Sequence, residues 1–299
     1  MILPDRIRIT EVGPRDGLQN EKAIVDVSDK VAFIDLLSAA GPSEIEVTSF
    51  VSPKWVPQLA DADDVLARIK RMPGIVYSAL VPNERGLERA LKAGVNKVAV
   101  FAAASETFSQ RNINASIEES MGRFVPVIRG AGDAGLPVRG YISCAVACPY
   151  EGPIDPAAVR AVASNLLDLG VHEIDLGDTI GVAVPADIEA LYDELDGLLD
   201  PGETTLHLHD TRGTALACAY RAMQLGVNSF DASCAGLGGC PYAPGAAGNL
   251  ATEDLVYLCE RMNCATGVNL ERQLDAGRHI ATAIGRVPAG RVFRAESGR

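Results

Sequence analysis

Five glycines, Gly41, Gly94, Gly135, Gly170 and Gly226, each separate a helix-like stretch from a β-branched run. Glycine just past the last periodic residue is a helix stop, so this punctuation fixes the rhythm of the chain. The runs read as strands are Arg6–Val12, Glu44–Thr48, Ile75–Val81, Val95–Phe101, Val138–Cys144, His172–Gly177, Thr204–His209 and Asn228–Ser233. Between and after them lie amphipathic stretches: Ser28–Ala40, Asp61–Arg71, Asn83–Ala93, Ile117–Ala134, Asp155–Leu169, Ala186–Leu199, Thr214–Leu225 and Thr252–Met262. Strands alternating with helices build a parallel sheet. Eight such units in 299 residues predict an α/β fold, a closed (β/α)₈ barrel. An open doubly wound sheet would carry G-x-G-x-x-G after its first strand, and Gly13-Pro14-Arg15-Asp16-Gly17 is not that sequence. The barrel is expected over residues 1–265. Residues 266–299, with one more helical stretch at Leu270–Gly285, are expected as a short C-terminal helical extension packed on it.

Charge and cysteine usage narrow the function. A net charge of −12 argues against a nucleic-acid partner, whose phosphates need a basic face. The seven cysteines are odd in number and scattered, which fits neither a disulfide framework nor a zinc cassette. No apolar run has signal-peptide or membrane-spanning character, so a cytoplasmic protein with no membrane partner is expected.

In a barrel of this kind the chemistry lies where the strands end at their C-terminal side. Arg15 and Asp16 follow the first strand, Glu46 and Thr48 end the second, and Asp178 follows the sixth. His207 and His209 end the seventh, and the glycine-rich run GLGGCPYAPGAAGN, with Cys240 at its tip and Asn249 at its end, follows the eighth. Five strands thus deliver polar groups to one rim.

The His-x-His pair is the sharpest of these. Side chains alternate along a strand, so His207 and His209 share one face and can grip a single cation. His172 and His279 stand alone and read as structural. Two imidazoles with Asp16 and the amide oxygen of Asn249 make an oxygen-leaning set that suits Mg²⁺ or Mn²⁺, with Zn²⁺, Co²⁺ and Fe²⁺ open through the imidazoles. An isolated Arg-Asp pair would read as a surface turn. Beside a metal site, Asp16 becomes a ligand and Arg15 a permanent planar donor for an oxygen that turns negative. Glu46 reads as the buried partner that holds the Arg15 guanidinium. The glycine-rich run lacks the Lys-[Ser/Thr] of a phosphate loop and reads as a mobile lid.

The segments VGPRDGLQNE, EVTSFVSPKWVPQLAD, LGDTIGV, HLHDT and AGLGGCPYAPGAAGNLATEDLVYL resemble hydroxymethylglutaryl-CoA lyase, a family among the metal-dependent TIM-barrel lyases and Claisen-type condensing enzymes. The resemblance implies cleavage of 3-hydroxy-3-methylglutaryl-CoA to acetyl-CoA and acetoacetate with Mg²⁺ or Mn²⁺. It implies Asp16, His207, His209 and Asn249 as metal ligands, and Arg15 at the thioester carbonyl. Proton transfer is implied for Asp178 and Cys240, with His207 an open alternative as base, and Glu46 and Glu253 support the site. Lys22, Arg111 and Asn112 are the expected contacts of the coenzyme A moiety. A homodimer or higher homo-oligomer is implied as well.

Two departures stand out. Arg212 follows HDT where the better-known lyases carry tyrosine, which keeps a related branched 3-hydroxy-acyl-CoA open as substrate. The tail RVPAGRVFRAESGR lacks a terminal cysteine. A condensing acyltransferase of the isopropylmalate or homocitrate type would share the metal residues but generally has a longer C-terminal region. An inactive barrel kept as an assembly subunit would have lost ligands that are all present here.

Overall fold

The glycine stops work as local chemistry requires. Gly41 (φ 87°) and Gly94 (φ 68°) adopt the left-handed conformation that costs other residues a clash at Cβ, and their amides return to Leu37 O and Ala90 O to close the helices before them. The computed structural model describes residues 3–239, 248–287 and 289–297. Eight parallel strands close into a barrel: β1 Arg8–Glu11, β2 Glu44–Ser49, β3 Val76–Leu80, β4 Lys97–Ala103, β5 Val138–Ser143, β6 Glu173–Asp178, β7 Thr204–Leu208 and β8 Ser229–Ala232. They pair in chain order, and β8 returns to β1 with Thr10 opposite Asp231.

The helices form the outer ring: α1 Val27–Ala40, α2 Ala62–Arg68, α3 Glu84–Ala93, α4 Glu106–Ile113, α5 Ile117–Asp133, α6 Pro156–Asp168, α7 Pro185–Leu195, α8 Ala215–Gln224 and α9 Thr252–Arg261. The α4 helix was not among the expected elements. Its sequence ETFSQRNI lacks an apolar period, and it is defined by its ends: Ser105 accepts from the Phe108 amide and Asn114 turns left-handed at φ 50°. A small antiparallel hairpin, Ala147–Cys148 with Gly152–Pro153, was also unforeseen.

Past the barrel, α10 Leu270–Ile284 lies against α1 and adds Ala276 and Ile280 to the main apolar core. The last helix, α11 Arg291–Ser297, is tied to α9 by Asp254, whose carboxylate accepts from the amides of Arg291 and Val292. Among the described residues no helix is long and apolar enough to cross a membrane.

Alternation divides each strand between two surroundings. On β5, Gly140 and Ile142 face the helices while Arg139 and Tyr141 face the lumen. On β7, Leu206 and Leu208 face outward while Thr205 and His207 face inward. The strand–helix layer is apolar, with Ile9, Ile45, Ile174 and Phe230 fully enclosed. The lumen is filled with ions. Lys97 bonds Glu44 (2.7 Å) and Glu173 (2.5 Å); Arg139 bonds Glu173 (2.7 Å) and Asp231 (2.9 Å).

Candidate active site

The site begins in a single turn of π-helix, Gly13–Gly17, at the mouth of β1. Such turns occur mostly as short pieces at functional sites. It buries Arg15 and turns Asp16 inward. Arg15 Nε donates to Glu46 Oε2 at 2.5 Å and Nη1 to Asp16 Oδ1 at 2.6 Å, while its guanidinium lies 5.3 Å from the centre of the Tyr141 ring. Burial opposes the guanidinium charge, but Glu46 and then Asp16 hold Arg15 firmly protonated. Burial likewise opposes the Asp16 charge, and Arg15 followed by the two histidines brings its pKa down to about 2.

Opposite this turn, His207 Nε2 and His209 Nε2 face each other at 3.2 Å, with Asp16 Oδ2 4.0 Å from His207 Nε2. Two imidazole nitrogens this close need something positive between them, a proton or a cation. Asp16, His207 and His209 form a group with metal-ligand spacing. Asn249 completes it. Its Nδ2 donates to Asp16 Oδ2 (2.8 Å) and Leu237 O (3.1 Å), and its Oδ1 is buried with no protein partner. A buried amide oxygen left open beside a carboxylate and two imidazoles fits a divalent cation. Burial, then the neighbouring His207, holds His209 down at about 4, so it is neutral and its lone pair is available at ordinary pH.

A family model described as HMGL-like matches residues 6–280. The human mitochondrial hydroxymethylglutaryl-CoA lyase is 52% identical over 293 residues, 98% of this chain and 90% of its own. The chain belongs to the HMGL-like family. A second family member, the 3-hydroxy-3-isohexenylglutaryl-CoA/hydroxy-methylglutaryl-CoA lyase of Pseudomonas aeruginosa, is 50% identical, with 99% of this chain and 98% of that one covered. The crystal structure of hydroxymethylglutaryl-CoA lyase from Pseudomonas aeruginosa superposes with a TM-score of 0.97 at 50% identity, covering 100% of this chain and 99% of that one.

The other expected residues are less uniformly placed on this HMGL-like rim. Asp178 shares its strand face with Ile174 and Leu176, away from the lumen, and its two oxygens accept from the amides of Val182 (3.1 Å) and Ala183 (2.9 Å). Burial raises its pKa against those amides. Arg212 gives Nη1 to Ile180 O and Gly181 O, both at 3.0 Å, and so braces the loop after β6. Lys22 lies exposed in the loop beyond the π-turn. Arg111 and Asn112 are exposed on α4, with Arg111 stacked 4.1 Å from the Tyr150 ring centre. Glu253 is buried and accepts from the Ala235 amide at 3.0 Å. Cys240 lies outside the described residues, as do residues 241–247 of the proposed lid.

Sequence reasoning missed Asp231, Arg139 and Tyr141. His207 Nδ1 meets Asp231 Oδ2 at 3.0 Å, and Arg139 grips the other Asp231 oxygen. Burial opposes the Asp231 charge, but Arg139 and the His207 hydrogen bond keep its carboxyl below the ordinary range. A carboxylate on the far nitrogen of a ligand histidine fixes its ring and tautomer. The signal was legible: SFDA sets one aspartate in an otherwise apolar strand interior, where a charge needs a partner.

Proposed function

We propose that the chain cleaves 3-hydroxy-3-methylglutaryl-CoA to acetyl-CoA and acetoacetate, with Mg²⁺ or Mn²⁺ held by Asp16, His207, His209 and Asn249. The observation that carries this reading is the meeting of the unpartnered Asn249 Oδ1, two facing imidazole nitrogens and the Arg15–Asp16 pair at one point of the rim. Bound there, the cation supplies Lewis acidity toward the substrate's tertiary hydroxyl and carboxylate.

Arg15 has the complementary task. Breaking the carbon–carbon bond places electrons on the thioester carbonyl oxygen, giving the enolate of acetyl-CoA. With Nε on Glu46 and Nη1 on Asp16, Arg15 keeps Nη2 for that oxygen. Its orientation is fixed beforehand by the two carboxylates and the Tyr141 ring, so little reorganisation is needed as charge develops.

Proton transfer then divides by elimination. As a ligand through Nε2, with Nδ1 committed to Asp231, His207 has no nitrogen left for a substrate proton. Of the groups that the resemblance implies for removing the hydroxyl proton and protonating the enolate carbon, this leaves Asp178 and Cys240. Asp178 can serve only by turning from the Val182 and Ala183 amides toward the lumen. The upward shift of Asp178 is the direction an acid needs at neutral pH.

The corresponding proposal for its setting is a cytoplasmic homodimer or higher homo-oligomer that meets coenzyme A through Lys22, Arg111 and Asn112. A second substrate, a longer branched 3-hydroxy-acyl-CoA, is favoured by one observation, the 50% identity to the dual-named Pseudomonas aeruginosa lyase. A coupled acetoacetate assay on 3-hydroxy-3-methylglutaryl-CoA, native against Arg15→Met, tests the main reading. Turnover that falls by about 10³-fold or more in the variant is expected. No turnover by folded, Mg²⁺-supplied native protein rejects this substrate, and the isohexenyl compound is then the one to assay.

A further inference from the structure

The last residue of β1 is a carboxylate to which the reaction assigns nothing. Glu11 lies on the side of the strand opposite Thr10, which bonds Arg139 in the lumen, and so enters the apolar strand–helix layer with no accessible surface. A carboxylate buried there is costly unless its lone pairs are met. Glu11 meets them with four neutral donors. Its Oε1 accepts from the amides of Gly13 (2.9 Å) and Cys234 (2.7 Å). Its Oε2 accepts from Thr252 Oγ1 (2.7 Å) and Gln273 Nε2 (2.8 Å). The donors come from four separate segments, the last of them 262 positions away on α10.

Three of those segments carry or support metal ligands. Gly13 opens the π-turn that holds Arg15 and Asp16. Glycine is required there by close approach, because a Cβ would stand 2.7 Å from Glu11 Oε1. Cys234 opens a short 3₁₀ turn, Cys234–Gly236, and the next residue, Leu237, gives its carbonyl to Asn249 Nδ2 at 3.1 Å. Thr252 begins α9, three residues after Asn249. The Glu11 carboxylate therefore ties the start of the Asp16 segment to both supports of Asn249. The segments it joins are in contact: a Cβ at Gly17 would lie 2.8 Å from Leu237 Cβ, and Asn249 Nδ2 meets Asp16 Oδ2 at 2.8 Å. His207 reaches the site from β7 by a separate route, through Asp231.

We propose that Glu11 is a positioning residue for the metal site: its carboxylate sets the separation of Asp16 from Asn249 and the orientation of Arg15, by reach and not by charge. The proposal rests on the metal-ligand reading above and extends it to a residue that touches neither cation nor substrate. A glutamine can make the same junction. Its Oε1 would keep the two amides, and its NH₂ would donate to the Thr252 hydroxyl and to Gln273 Oε1. That oxygen is buried without a partner among the described residues, and a flip of the Gln273 amide turns it toward residue 11. Burial raises the Glu11 carboxyl to about 7 in spite of its four donors, so a neutral group is tolerated at this place. An aspartate keeps the charge but is one methylene short of both pairs.

The two conservative variants separate reach from charge. Mn²⁺ binding to chelator-stripped protein would be read by calorimetry and by the Mn²⁺ paramagnetic resonance signal. Glu11→Gln is expected to stay within about threefold of native affinity, and Glu11→Asp to fall about 10–100-fold. At saturating Mn²⁺, Glu11→Asp is expected to lower kcat for 3-hydroxy-3-methylglutaryl-CoA about 10–100-fold with KM near native, because Arg15 is displaced from the developing charge. Gln273→Ala removes only the donor on α10 and controls for packing: a lower melting temperature with native Mn²⁺ affinity is expected. Affinity that is higher in Glu11→Asp than in Glu11→Gln, or equal in the two, overturns the proposal. A loss in Gln273→Ala as large as in Glu11→Asp marks the packing of α10 as the cause and overturns it too. Where Glu11→Asp does not fold, Glu11→Gln decides alone: near-native affinity supports reach, and lost affinity in the folded variant overturns it. Native protein that binds no Mn²⁺ is a different failure, that of the metal reading, and removes both.

Discussion

The barrel lumen and the strand–helix layer are built from the same strands and follow opposite rules. Outside, Ile9, Ile45, Ile174 and Phe230 pack against helices with no accessible surface to speak of. Inside, Lys97, Arg139, Glu44, Glu173 and Asp231 form a connected ion network, with Thr10, Thr205 and Ser229 filling hydrogen bonds between them. Burial and the neighbouring Asp231 push the Asp175 carboxyl well above the ordinary carboxylate range. Buried ion networks offer little net stability over an apolar filling, though breaking one is costly. The outer layer therefore holds the fold, and the lumen holds the site: its last link is the Arg139–Asp231–His207 chain under the metal ligands.

Substitutions on the two sides of one strand separate these roles. The largest effect is expected from the outer face. Phe230→Ala should lower stability by about 3–5 kcal/mol, read as a shift in denaturant midpoint, while kcat at permissive temperature stays near native. A lumen substitution comes next. Burial raises the Glu173 pKa, but Arg139 and Lys97 outweigh it and hold the carboxyl at about 2, against 4.5 ordinarily. A lowered folded-state pKa gives stability that is complete above the unfolded value and lost as pH falls through the folded one. Glu173→Gln should therefore cost on the order of 3 kcal/mol at pH 7. The gap between variant and native should narrow from pH 4.5 toward pH 2, and a gap independent of pH would show that Glu173 is not ionised in the lumen. The comparison is sharpest at Asp231→Asn. Divalent-cation affinity should fall about 10–100-fold, together with a loss of stability no larger than that of Glu173→Gln, because Arg139 loses one of its buried partners. A large loss of stability with unchanged affinity would put Asp231 among the structural ions instead.

What could be read from sequence follows the same division. All eight strands and their glycine stops were legible because period and helix caps are local properties. Two helices end sooner than expected. The Asp61–Arg71 stretch leaves the helix at Ile69, already extended at ψ 148° ahead of Pro73, and α7 stops at Leu195 because Asp196 is extended and Gly197 left-handed. The rim residues were legible because polar groups at strand ends converge in a barrel. Asp231 stood out locally as a charge inside a strand, but its partner Arg139 lies on another strand, 92 positions away, so the pairing that gives it a role has no local mark. The β2 register shift between Glu46 and Thr48, at the strand end that delivers Glu46 to Arg15, has no local sequence mark either.

A single titration joins the metal cluster to the reaction. Protein stripped by chelator would be titrated with Mn²⁺ under calorimetry, and acetoacetate release measured at each point. One Mn²⁺ per chain is expected, with release absent in chelator, rising with occupancy, and both lost in His209→Ala. Full acetoacetate release from stripped protein, or Mn²⁺ binding untouched by His209→Ala, would contradict a metal-dependent lyase centred on Asp16, His207, His209 and Asn249.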